Sequence, residues 1–404
     1  MSSKVIWIFN QTAGKPDSGW GERHYYLAKH WTEKGYKTKI FSGSYNHLFI
    51  NQPKTGKQTF TEEKIDKNLS FFWVKIPKYN GASVFRIWNM ILFSFKLLFF
   101  KDEFREKPDI ILVSSMPLFQ IIPGYYFKKK FKAKKMIFEI RDLWPLTPVS
   151  LKNYSKFHPV IIAMRWIEKM GYRKADFIVS VLPYANIYID KISKQPIKFK
   201  WIPNGIDTNL SSLKKLPGNI RDMIPKDKFI IGYAGTMGLA NALEYFVDAS
   251  ILLKNNRDIH FVLVGDGYLK SSYLSKTKGN SNITFINKVP KNQVQDLLTY
   301  FDICFLGRYD IDLYKYGVSY NKYFDYMLAK KPILEASKPI GSPAEKAGCT
   351  LLVAPESPDA IVQGILNLFN KPQKMLIEMG DKGYNYVKKY HNFEYLSYKY
   401  LKLF

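Results

Sequence analysis

Short runs of β-branched and aromatic residues alternate with stretches of helix length from one end of this chain to the other. That alternation confines the fold to parallel α/β sheets, because a parallel strand needs a long crossover before the next one, usually a helix. In the first half the spacing predicts strands over 5–9, 38–41, 110–114, 136–140 and 177–181, with a helix over 25–34. In the second half it predicts strands over 229–234, 260–264, 284–286, 303–306 and 351–353, with a helix over 242–254. The chain has 404 residues, more than one ordinary core accommodates. Two doubly wound units are therefore expected, hinged at Trp201-Ile-Pro-Asn-Gly-Ile-Asp207, where Pro and Asn-Gly punctuate the chain. The predicted boundaries are 1–202, 203–385, and a terminal helix over 386–404 returning to the first unit.

Charge separates the halves. Residues 1–200 hold 35 Lys and Arg against 15 Asp and Glu, and residues 201–404 hold 26 against 19. A basic half attracts polyanions, whether nucleic acid, anionic lipid or phosphorylated small molecules. The stretch 84–100 is the longest apolar one, but Arg86, Asn89 and Lys96 interrupt it and it falls short of the ~20 residues that span a bilayer. On a helix Arg86, Asn89, Lys96 and Glu103 form one narrow stripe, so the rest is either buried in the first unit or lies in a membrane interface; both readings stay open here. The start of the chain is too short in apolar residues for a secretory signal, and Cys304 and Cys349 make no disulfide or zinc framework, so a reducing cytoplasm is expected.

In open parallel sheets ligands bind beyond the carboxyl ends of the strands, so the loops there carry the candidate residues. After the first strand, Gly19, Gly21, Glu22 and Arg23 lead into a helix; they suit either a ligand loop or an ordinary turn and cap. The strand 136–140 runs into Arg141 and Asp142, which suit a phosphate and an acceptor hydroxyl respectively, or a structural ion pair. In the second half Gly235, Thr236 and Gly238 follow a strand and precede a helix, where backbone N–H groups can cradle phosphate. Gly265 and Asp266 close the next strand, Asp266 being equally a turn residue. The most specific run is Tyr316-Gly-Val-Ser-Tyr-Asn-Lys-Tyr-Phe-Asp-Tyr-Met327, with Ser319, Asn321, Lys322 and Asp325. Phe324, Met327 and Leu328 recur at helical spacing, leaving Asp325 on another face to accept ribose hydroxyls, with Lys322 near a diphosphate.

The ordered set Tyr25-Tyr-Leu-Ala-Lys29, Ile140-Arg-Asp-Leu-Trp-Pro145, Pro203-Asn-Gly-Ile-Asp207, Gly232-Tyr-Ala-Gly235, Leu263-Val-Gly-Asp-Gly267 and Ser319-Tyr-Asn-Lys-Tyr-Phe-Asp-Tyr-Met327 resembles family 4 of the GT-B retaining glycosyltransferases. Within it, the likeness is to the bacterial branch that transfers N-acetyl-fucosamine-type sugars in surface polysaccharide assembly. The resemblance implies two Rossmann-like domains, the first binding a glycan or polyprenyl-linked acceptor and the second a nucleotide sugar, expected to be UDP-linked. It puts Asp325 at the second Glu of the family's Glu-x7-Glu signature and Gly317 at the first, so one contact to the donor sugar is missing. The Arg and Lys that members use on the diphosphate fall on Thr236 and Asn241, leaving Lys322 and Arg308 as the source of positive charge. Asp142 matches the acceptor-side Asp.

Such enzymes stabilise the leaving diphosphate with fixed cations and helix N-termini. No cofactor is expected beyond the donor as substrate, and no divalent metal, since no His and carboxylate cluster has metal-ligand spacing. The expected location is cytoplasmic, peripheral on the inner face of the membrane if the anionic surface is a partner. Two other classes remain in view. A nucleic-acid-binding protein would be basic but should show a basic helix or an aromatic and basic strand module, and neither is present, so no nucleic acid is expected. A GT-B-fold nucleotide-sugar epimerase should carry catalytic carboxylate and His sets that do not stand out.

Overall fold

The computed structural model describes residues 4–79, 84–101, 106–209, 213–338 and 340–404. They divide into two compact units, Met1–Asn204 with Phe393–Phe404, and Gly205–Asn392.

In the first unit β1 (Val5–Phe9), β2 (Lys37–Gly43), β3 (Phe60–Lys64), β4 (Leu69–Val74), β5 (Ile110–Ser114), β6 (Lys135–Ile140), β7 (Phe177–Ser180) and β8 (Phe199–Trp201) make one sheet. Its order is β3-β4-β2-β1-β5-β6-β7-β8, parallel throughout except for β3 against β4. The helices are α1 (Arg23–Glu33), α2 (Val84–Leu97), α3 (Ile121–Phe131), α4 (Leu146–Lys152), α5 (Pro159–Lys174) and α6 (Ala185–Ser193). Right-handed crossovers place α1 on one face and α2, α3, α5 and α6 on the other. Side chains follow the pleat. Ile6 and Ile8 pack in the cluster of α1, with Leu27 and Trp31, while Trp7 and Phe9 turn the other way onto Phe127 of α3.

In the second unit β9 (Phe229–Ala234), β10 (Ile259–Val264), β11 (Ile283–Ile286), β12 (Ile303–Gly307), β13 (Ile333–Ala336) and β14 (Thr350–Val353) form a parallel sheet ordered β11-β10-β9-β12-β13-β14. Around it lie α7 (Gly218–Arg221), α8 (Leu243–Leu252), α9 (Lys270–Lys276), α10 (Val294–Thr299), α11 (Asn321–Leu328), α12 (Pro343–Ala347), α13 (Pro358–Phe369) and α14 (Gln373–Tyr390). Every residue of β10 and β12 is buried, as expected of strands covered on both faces. The last helix, α15 (Phe393–Leu401), packs against α1, where Trp31 Nε1 donates to the Ser397 carbonyl at 3.2 Å.

Three expectations change. The returning segment starts at Phe393 and not at 386, because residues 386–390 complete α14, whose Val387 is buried in the second unit. His391 then stacks on Phe324, and Asn392 bridges to Ile206. Four strands are additional to the predicted ones. Among them, β3 is a half-exposed polar edge, Phe-Thr-Glu-Glu-Lys, and β13 carries a buried Glu335, so neither shows a clean apolar signal. Finally, the stretch 84–100 is neither wholly buried nor wholly outward: Met90, Phe93 and Leu97 of α2 are buried, while Phe85, Trp88 and Phe95 of α2 and Phe99 just after it are exposed. The proposed polar stripe fails at Asn89, which is buried with its Nδ2 on the Phe85 carbonyl, and Glu103 lies outside the described residues.

Candidate functional site

Strand order reverses between β9 and β12 in the second unit, so the crevice of that sheet opens between the loops that follow these two strands. The loop after β9 carries Gly235, Thr236, Gly238 and Asn241; the chain after β12 runs from Arg308 to Ser319 and into α11. Lys322, in the first turn of α11, joins them: its ammonium donates to Asn241 Oδ1 at 2.8 Å and lies over the rings of Tyr233 and Tyr320. Asn241 is held in turn by donating Nδ2 to the Thr236 carbonyl at 2.9 Å. The ammonium thus reaches the position that the family resemblance assigns to an Arg or Lys of the donor site. Desolvation pulls its pKa down to about 8, with Asp325 opposing and Arg308 assisting the fall.

Gly235 leaves room for this side chain, since a Cβ there would stand 3.1 Å from Lys322 Cδ. Gly265 acts on the loop from beneath. A Cβ there would fall 1.9 Å from the Gly235 carbonyl oxygen, so only glycine lets the two loops close up. Gly238 is buried, Thr236 and Asn321 are exposed, and Ser319 is buried ahead of α11. Asp266 is exposed and caps its own turn, its Oδ1 accepting from the Gly267 N–H at 2.8 Å.

Asp325 is buried one turn into α11, where residues 323–328 are all buried, so no helix face separates it from the apolar set as expected. Its carboxylate pairs with Lys291, and its carbonyl accepts from Gln295 Nε2 at 3.1 Å. Lys291 sits in the turn ahead of α10 and carried no sequence signal; only the packing of α10 on α11 brings it there. Arg308 carries internal partners that the sequence did not show. It is 2% exposed and its Nη2 bonds Glu335, Tyr323 at 2.7 Å and Ser337 at 3.0 Å, so its charge is matched inside the protein by a buried carboxylate. A cleft of about 450 Å³ opens beside it, lined from residues 308–315 and by Ser337, Lys338 and Ile340. Asp310 and Asp312 there form an Asp-x-Asp run, which the expectation of no divalent metal passed over; they pair with Lys338 and Lys315. Among the described residues no three His, Cys, Asp or Glu side chains converge as metal ligands.

In the first unit the order reverses between β1 and β5. Gly19 and Gly21 adopt left-handed backbone in the loop after β1, and a Cβ on Gly21 would stand 2.2 Å from the Thr12 carbonyl oxygen. Glu22 occupies the N-cap position of α1. Arg23, grouped with them from the sequence, belongs instead to a buried network. Its Nε donates to Glu139 Oε1 at 2.9 Å, and its two other nitrogens donate to the carbonyls of Pro203 at 2.6 Å and Ile202 at 3.0 Å. Glu139 also accepts from Ser114 Oγ at 2.6 Å, His24 Nε2 at 2.8 Å and Tyr400. The tautomer of His24 follows from its neighbours: Asn10 Oδ1 accepts from the Thr12 N–H, so Asn10 Nδ2 donates to His24 Nδ1, and the proton must sit on Nε2. Burial, more than any neighbour, lowers the His24 pKa and keeps it neutral. Burial is the largest single influence on Glu139 and opposes its charge, but Arg23, His24 and Arg141 together outweigh it and hold that carboxyl well below the usual range. At the end of β6, beside this network, Arg141 is half-buried with its N–H on Ser115 Oγ at 3.0 Å, and Asp142 is exposed.

Two family models match, one over each part of the chain: Glycosyltransferase Family 4 over residues 19–210, and Glycosyl transferases group 1 over residues 228–371. The chain is a GT-B glycosyltransferase of this group 1 and family 4 type. Solved structures share the fold over nearly the whole length. The sucrose-phosphate synthase of Thermosynechococcus elongatus is 15% identical with a TM-score of 0.75, covering 99% of this chain and 98% of its own. HepE of Anabaena, in complex with UDP and glucose, is 12% identical with a TM-score of 0.67 over 99% of both chains. The E. coli trehalose-6-phosphate protein bound with UDP-2-fluoro glucose is 11% identical with a TM-score of 0.71, covering 99% of this chain and 98% of its own. No curated protein matches the sequence. The transferase families replace the epimerase and nucleic-acid readings.

Proposed function

We propose that this glycosyltransferase moves a sugar, with retention of configuration and without a divalent metal, from a UDP-linked donor to a glycan or polyprenyl-linked acceptor. An N-acetylated amino or deoxyamino sugar and a role in bacterial surface polysaccharide synthesis at the inner face of the cytoplasmic membrane fit the sequence likeness. The second unit takes the donor and the first the acceptor. The observation that carries this reading is the placement of Lys322 on Asn241 between the β9 and β12 loops, one helical turn from Asp325. An ammonium fixed there meets the charge that grows on the leaving diphosphate, and a carboxylate oriented by Lys291 accepts ribose hydroxyls. Similar structures bound with UDP and with UDP-2-fluoro glucose support uridine as the base. Asp142, exposed at the carboxyl end of β6, is the group for an acceptor hydroxyl, with Arg141 behind it.

Calorimetry with UDP in excess chelator tests this. Wild-type protein should bind, and Asp325→Asn, which keeps the shape of the side chain, should bind at least tenfold more weakly, the loss of ~1.4 kcal/mol that one charge-assisted hydrogen bond supplies. Equal affinities would remove Asp325 from the donor site, and binding that needs added magnesium would overturn metal independence.

A further inference from the structure

The cleft beside Arg308 takes no part in the diphosphate and ribose contacts assigned to the second unit. It opens where the chain leaves β12 and β13. Arg308 and Ser337, both buried, form its floor, and the exposed pairs Asp310 with Lys338 and Asp312 with Lys315 stand at its rim. Its walls come from Tyr309, Ile311, Tyr314 and Ile340. The Tyr309 hydroxyl is tied to Glu244 of α8, which fixes that wall. At about 450 Å³ the cleft is the size of a small-molecule site.

What it can recognise follows from its floor. Nη2 makes the three side-chain hydrogen bonds of Arg308, to Glu335, Tyr323 and Ser337, and among the described residues no partner stands at Nε or Nη1. The remaining N–H groups are donors on a residue that lines the cleft. Glu335 does not compete for them: it is fully buried, its Oε1 is taken by Arg308, Tyr323 and Ser337, and its Oε2 accepts from Ser342 Oγ at 3.2 Å. Nor does the cleft carry net positive charge, since Glu335 matches Arg308, Asp310 matches Lys338 and Asp312 matches Lys315. Donors without net charge, between apolar and aromatic walls, suit a neutral carbonyl that ends in a small apolar group. A carboxylate or phosphate would lose its water there with no unmatched cation to receive it. Position supplies the rest. The guanidinium carbon of Arg308 and the Lys322 ammonium lie over the same Tyr320 ring, each 5.5 Å from its centre. A diphosphate on Lys322 thus holds its sugar one aromatic ring away from the floor of the cleft.

We propose that this cleft is the specificity pocket for an acylamino substituent of the donor sugar, whose carbonyl accepts from Arg308 and whose methyl group packs on Ile311 and Tyr314. The proposal rests on the donor site assigned to Lys322 and Asp325, and it names the part of the donor that the second unit selects.

Calorimetry of the full chain tests it, with UDP, UDP-glucose and UDP-galactose, the N-acetylated form of each sugar, and UDP-glucuronic acid. In wild-type protein at least one acetylated donor should bind about tenfold more tightly than its parent, the gain that one hydrogen bond and one buried methyl group supply together. UDP-glucuronic acid should gain nothing over UDP-glucose. Ile311→Trp, which fills the cleft from its wall, should bring acetylated and parent donors within roughly twofold of each other, with melting temperature and UDP affinity unchanged. Arg308→Lys keeps the charge opposite Glu335 but removes Nε and Nη1, and should lose the preference in the same way; where it lowers the melting temperature, Ile311→Trp decides. Equal wild-type affinity within both pairs, tighter binding of UDP-glucuronic acid, or an acetyl preference that survives in Ile311→Trp would overturn the proposal. The UDP measurement separates the two ideas: UDP bound with no acetyl preference removes the pocket alone, whereas failure to bind UDP removes the donor site on which it rests.

Discussion

Lys322 and Asp325 ride on one turn of α11, and their proximity was readable because helical spacing alone brings positions three apart together. Arg308 was not readable in that way. Whether its guanidinium is available depends on Glu335, which belongs to another strand, and the pair is made only when β12 and β13 lie side by side. Lys322 therefore stands as the principal cation of the proposed donor site, and its pKa of about 8 has a consequence for ligand binding. The ammonium is charged below that pH and loses its proton above it. Affinity for UDP should be level below pH 7 and fall by roughly tenfold by pH 9, as expected when only the protonated form binds. Calorimetry across this range should show the fall in wild-type protein and a flat profile in Lys322→Arg. A flat wild-type profile would count against a phosphate role.

Element α5 combines an exposed apolar side with a buried acid. Glu168 is fully buried, and the hydroxyls of Tyr172, at 2.7 Å, and Tyr188, at 3.3 Å, donate to it. Burial pushes its carboxyl up to about 8, more than these donors and Arg165 pull it down. In the folded protein Glu168 is therefore neutral at pH 7, whereas in the unfolded chain it ionises near 4.5. The folded pKa lies above the unfolded one, so the unfolded state gains from losing its proton, and this group's contribution to stability falls as pH rises from about 4.5 to 8. At pH 7 the cost is on the order of 3 kcal/mol. Glu168→Gln copies the neutral acid. It should stabilise the protein in urea at pH 7.5 by roughly 1–3 kcal/mol and change little at pH 4.5. Destabilisation at pH 7.5 would show that the carboxylate is the folded form.

For the molecule as a whole, the Glu139 network decides how the chain closes on itself. It draws together β6, α1, the residues ahead of the second unit through the Ile202 and Pro203 carbonyls, and α15 through Tyr400, 261 positions away in sequence. The second unit has a counterpart in Glu335, buried on β13 with Arg308. Each sheet thus encloses one carboxylate matched by one guanidinium, an arrangement whose disruption from one side costs more than its formation contributes. Tyr400→Phe removes one donor to Glu139 and the hydroxyl's link to Arg23, and should destabilise the first unit by about 1–3 kcal/mol in urea at pH 7. The folded pKa of Glu139 lies below its unfolded value, so its stabilisation is present above about pH 4.5 and is lost as pH falls through the folded value. With a donor removed that value rises, and acid unfolding should begin at higher pH in the variant. An unchanged acid transition would show that Arg23 alone holds the charge.

The sequence by itself determined the class of fold and its division into two units, because period, strand length and turn chemistry act over a few residues and survive without tertiary contacts. It also put Asp142 just past the end of a strand, and Lys322 and Asp325 in one helix. Tertiary structure alone decided which charges are spent internally. Arg23 and Arg308 look from the sequence like ligand groups, yet a buried carboxylate on a neighbouring strand claims each of them. Likewise, residues 84–100 read as one apolar run, and only the packing of α2 on the sheet could divide it into Phe93 and Leu97 inside, and Phe95 and Phe99 outside. The physical reason is common to both: burial and pairing are properties of neighbours brought together by the sheet, and neighbours on other strands leave no mark in local spacing.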